Sequence, residues 1–295
     1  MSNSLALTLG SETVRMAVPY ACAALAGIWC EKSGVVNIAL EGMLLASALG
    51  AVVVQLATGS ALLGLMGAAV VGAALGAAHA LFVRRGVDAI VSGIAINLLA
   101  AGGTRFVLRA LYGSSSNSPT VAGFQRAIAG GTSAATFVLD SVLSPLTLTS
   151  VVALAVTAGV FAKTRFGIRA RAAGENAEAA SSLGLDVARL RLAAVTIGGA
   201  IAGIGGAALA FDQHQFQSGM SGGRGFIALA AVIVSGRRPG RAVLACTAFA
   251  LLDASQIIFQ GKSRASHDLV TALPYIATLL SLTVLGRRQR STVSV

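Results

Sequence analysis

The chain has 295 residues, 55% of them hydrophobic and only 11% charged, with a mean hydropathy of +0.80. A soluble domain carries about 25% charged residues, so these charges are too few to cover a water-facing surface, and an integral membrane protein is expected instead. The formal net charge of +11 fits an excess of Lys and Arg in cytoplasmic loops, and no nucleic-acid partner is expected.

Glycine is abundant at 35 residues and aromatics make up 5%. Small residues let helices approach closely in lipid, which points to an all-α polytopic bundle. A β-barrel would show segments of about 10 residues with alternating polarity, whereas the apolar runs here are longer and continuous. A spanning helix needs roughly 20 mostly apolar residues. In chain order the predicted spans are 12–30, 35–57, 60–83, 87–108, 146–162, 192–212, 225–236, 242–260 and 269–285. That makes about nine, within a range of eight to ten. The run at 225–236 is short for a full crossing and reads as a tilted span or one half of a broken helix. The N-terminal MSNSLALTLGSETV lacks a basic stretch, so no cleavable signal peptide is expected.

The basic residues fall on one side of this arrangement. Lys32, Arg84, Arg85, the six Lys and Arg of 163–191, the Arg237–Arg241 turn and the C-terminal arginines make up most of the 22. The positive-inside rule places that side in the cytoplasm, with the C-terminus, and the N-terminus outside. The chain is read as one transmembrane domain, 1–295, with an extracytoplasmic loop at 110–145 and a cytoplasmic loop at 163–191. The first loop is rich in Ser, Gly and Thr (YGSSSNSPTVAGFQ) and serves as a connector or a docking surface for an outside partner.

The second loop carries AAGENAEAASSLG. Asn176 is placed to N-cap a short helix, Glu178 complements the positive end of its dipole, and Gly184 can end it in the left-handed conformation. Asp186 can cap the helix that follows. On these grounds the segment is a surface helix that docks a partner or lies at the interface, where Arg165, Arg169 and Arg171 can hold lipid head groups.

FGIRARAAGENAEAASSLGLDVARLRLAAVTIGGAIAGIGGA resembles the coupling-loop region of ATP-binding-cassette importer permeases, in the class that carries branched-chain amino acids, simple sugars and nucleosides. AALAGIWCEKSGVVNIALEGMLL, VDAIVSGIAINLLAAG at 87–102 and SGGRGFIALAAVIVSGRRPGRAVL at 221–244 resemble the same family, in the same order, over about residues 17–260. The combination is most similar to the nucleoside or simple-sugar branch; the 110–145 loop matches nothing. The resemblance implies a permease paired with a second one, a heterodimer rather than a homodimer. It implies a separate ATPase on the cytoplasmic face, in whose groove Gly174, Glu175, Asn176, Glu178, Ala179, Leu183 and Gly184 dock. It also implies an extracytoplasmic lipoprotein that delivers a small polar substrate, in the bacterial inner membrane.

No catalytic constellation is visible. GKS at 261–263 has Gln256 where a phosphate-binding loop needs its leading Gly. His79, His214 and His267 are isolated and read as ordinary helix or loop residues. Cys22, Cys30 and Cys246 read as small buried hydrophobes, and neither cofactor nor metal is expected. An ion-coupled secondary transporter or a membrane-embedded enzyme are the rival classes; the first needs several deep acids and an internal repeat, the second a nucleophile–base pair or metal set.

Polar groups inside the apolar runs are costly and mark cavities or partner helices. The candidates are Asn37, Glu41, Ser92, Asn97, Asp253 and Gln256, together with Asp88, read as an interfacial partner of Arg84 and Arg85. Asn37 and Glu41 are four apart, the spacing of one helical face, and Gly34 and Gly42 bracket them, which permits a broken helix. Each candidate lines the pathway or makes an interhelical hydrogen bond. Arg224 is placed at the outer mouth as a gate, a substrate contact or a head-group anchor. No aromatic cluster lines any predicted helix, which leaves base recognition to the delivering protein.

Overall fold

The computed structural model describes residues 2–124 and 134–259. Among them are eleven helices: α1 (Ser2–Lys32), α2 (Leu40–Thr58), α3 (Ala61–Arg84), α4 (Ala89–Tyr112), α5 (Ala134–Leu143), α6 (Pro145–Lys163), α7 (Arg165–Glu175), α8 (Ala177–Ser182), α9 (Val187–Asp212), α10 (Arg224–Val234) and α11 (Pro239–Phe259). Six of these, α1, α2, α3, α4, α6 and α9, are long and apolar enough to cross a membrane. The chain is therefore an all-helical, multi-pass membrane protein. The predicted span at 269–285 lies outside the described residues. The one at 225–236 is the 11-residue α10, about 16 Å long at the α-helical rise and too short to cross alone. The first span runs on to Lys32, and 33–39 is unwound before α2 begins.

Helix α1 is the hub. It packs against α5, α6, α9, α10 and α11, and from Tyr20 to Cys30 its residues are buried. At its lower turn Trp29 donates to the Thr157 hydroxyl at 2.9 Å and meets Phe161 edge-on at 4.9 Å. Helices α3 and α9 run antiparallel with their backbones touching, because Gly72 faces Gly199 and Gly203 while Gly76 faces Val195. Glycine is required there. A Cβ on Gly72 would run into the Gly199 carbonyl, and one on Gly203 would meet the backbone of Ala68 and Ala69. This contact places Arg84 and Val187 at one end of the bundle and Ala61 and Asp212 at the other. Lys32, whose ammonium lies 4.9 Å from the Phe161 ring, Arg191, bonded to Ser33 O at 3.1 Å, and Arg237, 3.9 Å from Glu31, all belong to the first of these ends, the basic end.

At the far end, part of the 110–145 segment is built into the bundle. Ser118 N–H donates to Phe216 O at 3.0 Å, Val121 N–H to His214 O at 2.8 Å and Ser218 N–H to Ser116 O at 2.8 Å. Residues 116–121 thus lie along the connection between α9 and α10, over the fully buried Phe216.

Gly72→Val should destabilise the subunit by about 1–3 kcal/mol or more through overpacking, whereas Gly159→Ala, which has open space around its Cβ position, should leave the melting temperature level or raised. A thermal-shift series in detergent checks both, and an unchanged Gly72→Val would refute the tight α3–α9 contact.

Candidate functional site: a junction of broken helices

The unwound stretch 33–39 exposes peptide groups in the interior of a membrane protein, where each unsatisfied group costs several kcal/mol. Side chains from α3, α4 and the stretch itself bond to several of them. Asn97 on α4 works in both directions, with Nδ2 donating to Ile38 O at 2.9 Å and Oδ1 accepting from Gly42 N–H at 2.7 Å. Asn37 is fully buried; its Oδ1 accepts from Ala39 N–H at 2.9 Å, and its Nδ2 contacts Cys30 Sγ at 3.3 Å and Met43 Sδ at 3.7 Å. His79 on α3 is fully buried, with Nε2 3.2 Å from Val36 O and Nδ1 2.9 Å from Ser92 Oγ. A carbonyl only accepts, so Nε2 carries the proton and Nδ1 accepts from the serine.

Glu41, in the first turn of α2, answers a second break. Its Oε1 accepts from Gly223 N–H at 2.8 Å and its Oε2 from Gly225 N–H at 2.7 Å. Gly223 is the N-cap of α10 and makes no side-chain cap bond, so the Glu41 carboxylate is the cap. A carboxylate suits that place because a helix N-terminus carries partial positive charge and orphan amides. The fit requires glycine, since a Cβ on Gly225 would strike the Glu41 backbone and one on Gly42 would lie 2.8 Å from Asn97 Oδ1.

Arg224 follows directly. Its Nη2 lies 3.4 Å from Asp253 Oδ2, its Nη1 donates to Met220 O at 3.0 Å, and its guanidinium sits 5.8 Å from the Tyr20 ring centre. Tyr20 O–H donates to the same Asp253 oxygen at 2.7 Å. Both charged side chains are under one-fifth exposed, at 18% and 16%.

Asn37, Glu41, Ser92, Asn97, Arg224 and Asp253 are therefore brought to one continuous junction. Several details differ from the sequence reading. Asn37 precedes α2, so it shares no helical face with Glu41: it turns inward while Glu41 reaches α10. Arg224 points into the bundle toward Asp253 instead of out to a lipid head group. Asp88 caps α4, accepting from Ile90 N–H at 2.9 Å and Val91 N–H at 3.1 Å, in place of pairing with Arg84 or Arg85. The Gln256 side chain lies outside the described residues. His79 was missed, because nothing local in the sequence tells a histidine that supports a distant carbonyl from one that merely packs.

At the basic end the loop 163–191 folds as two helices. Thr164 caps α7, accepting from Gly167 N–H at 3.1 Å, an element the sequence reading left as loop. Asn176 Oδ1 accepts from Ala179 N–H at 2.9 Å and starts α8. Gly184, at φ +79°, ends it, and Asp186 caps α9 through Arg189 N–H at 3.0 Å. Glu175, Glu178, Ala179 and Leu183 are exposed, Leu183 at 83%. Gly174 instead turns inward and packs its backbone on the Lys32 carbonyl and on Gly34, so this loop touches the unwound stretch directly.

An all-helical bundle with six membrane-spanning candidates and two helix breaks stitched by side chains has the architecture of a membrane transport subunit. Residues 11–281 match the family model for the permease component of branched-chain amino acid transport systems, and the chain belongs to that family. It is 32% identical to the guanosine ABC transporter permease NupQ of Bacillus subtilis over 286 residues, covering 92% of this chain and 89% of that protein. It is 34% identical to a putative glucose ABC transporter permease, TsgC13, of Haloferax volcanii, covering 89% and 80%, and 28% identical to the nucleoside ABC transporter permease NupC of Lactococcus lactis, covering 90% and 87%. Subunits of this family are permeases, not enzymes, and membership implies ATPase and substrate-binding partners.

Glu41→Gln keeps one acceptor for α10 but turns an amide donor toward the other backbone N–H. The expected cost is about 1–3 kcal/mol, read as a lower melting temperature, with slower uptake in reconstituted vesicles. Wild-type values for both would show that the carboxylate does not hold α10.

Proposed function

We propose that this chain is the membrane-spanning subunit of an ATP-binding-cassette importer that translocates nucleosides. The chain's overall match to the guanosine and nucleoside permeases supports this substrate class. The similarity to a putative glucose permease favours simple sugars as the second reading. ATP is hydrolysed by a separate subunit.

In this reading the chain is a single bacterial inner-membrane domain with about nine spans, its basic end and C-terminus cytoplasmic and the 110–145 loop outside. A non-identical permease completes the pathway, and a binding lipoprotein delivers the solute. The exposed face of α8, with Glu175, Glu178, Ala179 and Leu183, seats in the ATPase. The observation that carries the coupling role is the Gly174–Gly34 contact, because it makes movement of α7 and α8 a movement of the broken segment. Asn37, Glu41, Ser92, Asn97, Arg224 and Asp253 then hold the half-helices that border the pathway, and Gln256 extends that set along α11.

Uptake of tritiated guanosine into vesicles carrying the assembled complex and its binding protein tests the reading. Uptake should need ATP inside the ATPase-accessible compartment and should exceed that of glucose. Accumulation driven by an ion gradient without the ATPase would sink the importer assignment. Ala179→Pro, which deletes the amide that Asn176 caps, should leave the complex assembled but reduce both uptake and substrate-stimulated ATP hydrolysis about tenfold, the loss of roughly one or two docking contacts. Normal stimulation in that variant would remove α8 from the coupling path.

A further inference from the structure

At the far end of the bundle, α1, α5, α6 and α9 enclose a cavity of about 620 Å³, within the range of small-molecule sites and several times the volume a water molecule needs. Its chemistry is one-sided. Arg15 is pinned between two acids, with Nε on Asp212 Oδ1 at 2.7 Å and Nη1 on Glu12 Oε1 at 3.2 Å. Each carboxylate keeps a second oxygen, Glu12 Oε2 and Asp212 Oδ2, that no described side chain engages. His214 Nδ1 lies 3.3 Å from Val121 O; the carbonyl only accepts, so Nδ1 carries the proton and Nε2 of the neutral ring is a further acceptor. Ser144 N-caps α6 without a side-chain hydrogen bond, leaving its hydroxyl to the cavity. Phe124, stacked edge-on against Phe211 at 5.7 Å, supplies an apolar ring wall. The connection that presents His214 is held in a strained geometry, with that residue at φ +53°, a conformation that costs energy and collects at binding sites.

We propose that this cavity binds a ring compound rich in hydrogen-bond donors and free of negative charge, a nucleoside or a sugar, as a loading site on the face where the solute enters. The proposal rests on the permease reading and deepens it. Hydroxyls of the ligand donate to the spare oxygens of Glu12 and Asp212 and to His214, charge-assisted in the first two cases. Ser144 bridges a further hydroxyl, and the flat face of a base or the apolar face of a sugar lies on Phe124. Among the described lining residues Glu12 and Asp212 stand against Arg15, an excess of negative charge that disfavours phosphate, so the nucleoside enters and its monophosphate does not.

The test is equilibrium binding to the assembled complex in nanodiscs, without the binding protein, using tritiated guanosine with unlabelled glucose and guanosine monophosphate as competitors. Saturable guanosine binding is expected, with the monophosphate competing at least tenfold more weakly than guanosine. Ser144→Ala, which removes a hydroxyl that holds nothing in the fold, and Glu12→Gln, which keeps the Oε1 partner of Arg15, should each weaken binding about fivefold, one hydrogen bond's worth. Leu139→Ala, on the exposed side of α5, should not. Binding that ignores both cavity variants, equal competition by the monophosphate, or no saturable binding by a complex that transports guanosine would each overturn the site while leaving the permease reading in place. A wild-type complex that binds guanosine in this manner but imports neither solute would sink the permease reading and keep the site.

Discussion

A peptide group in hydrocarbon has no water to bond, and this fold interrupts its helices where that matters most. Around 33–39 and again before α10 the backbone leaves the helical ladder, and side chains close the interruptions: Asn97, His79 and Glu41 from other helices, and Asn37 from within the stretch itself. The polar residues inside the apolar runs are thus the partners of freed backbone groups. Glu41 shows how a carboxylate is tolerated there. It has no lysine or arginine within ion-pairing reach among the described residues, but two amides and the positive end of α10 supply the compensation that a counter-ion would. Glycine is the complement of this arrangement. Gly42 and Gly225 admit the neighbouring chain at distances no Cβ would allow, so the stitches stay short.

The long spans were legible because each is a continuous apolar run, and the start of α9 because Asp186 caps it, signals local in sequence. The caps of the basic loop at Asn176 and Gly184 were legible for the same reason. The breaks were half-visible, since Gly34 and Gly42 announced where a helix could open but not which way Asn37 and Glu41 would turn. Facing is a tertiary property: Glu41 meets residues more than 180 positions away, and His79 supports a carbonyl 43 positions before it. The far-end cavity escaped for the same reason. A pass along the chain finds no aromatic cluster, yet Phe124, Phe137 and Phe211 line one space because three separate elements converge there.

The stretch from Glu31 to Glu41 contributes an acid to each end of α10, and the two attachments differ in strength. At the inner end Glu41 uses both oxygens at 2.7 and 2.8 Å, under partial burial, in a geometry that one-sided loss would leave as an uncompensated charge. At the basic end Glu31 and Arg237 are 3.9 Å apart, with the arginine side chain 57% exposed, a pair worth about 0–1 kcal/mol after screening. Helix α10 therefore has a strong polar attachment at one end and a weak one at the other, with Ala228, Ala231 and Val232 fully buried between them. The basic loop bears on the same stretch, since Gly174 packs on Lys32 and Gly34, the residues joining the two acids. The backbone at 33–39 is unwound, whereas the α3–α9 pair is continuous helix packed backbone on backbone through its glycines. Broken and continuous helix are thus assigned to different parts of one bundle, and they are joined through Asn97, His79 and Glu41.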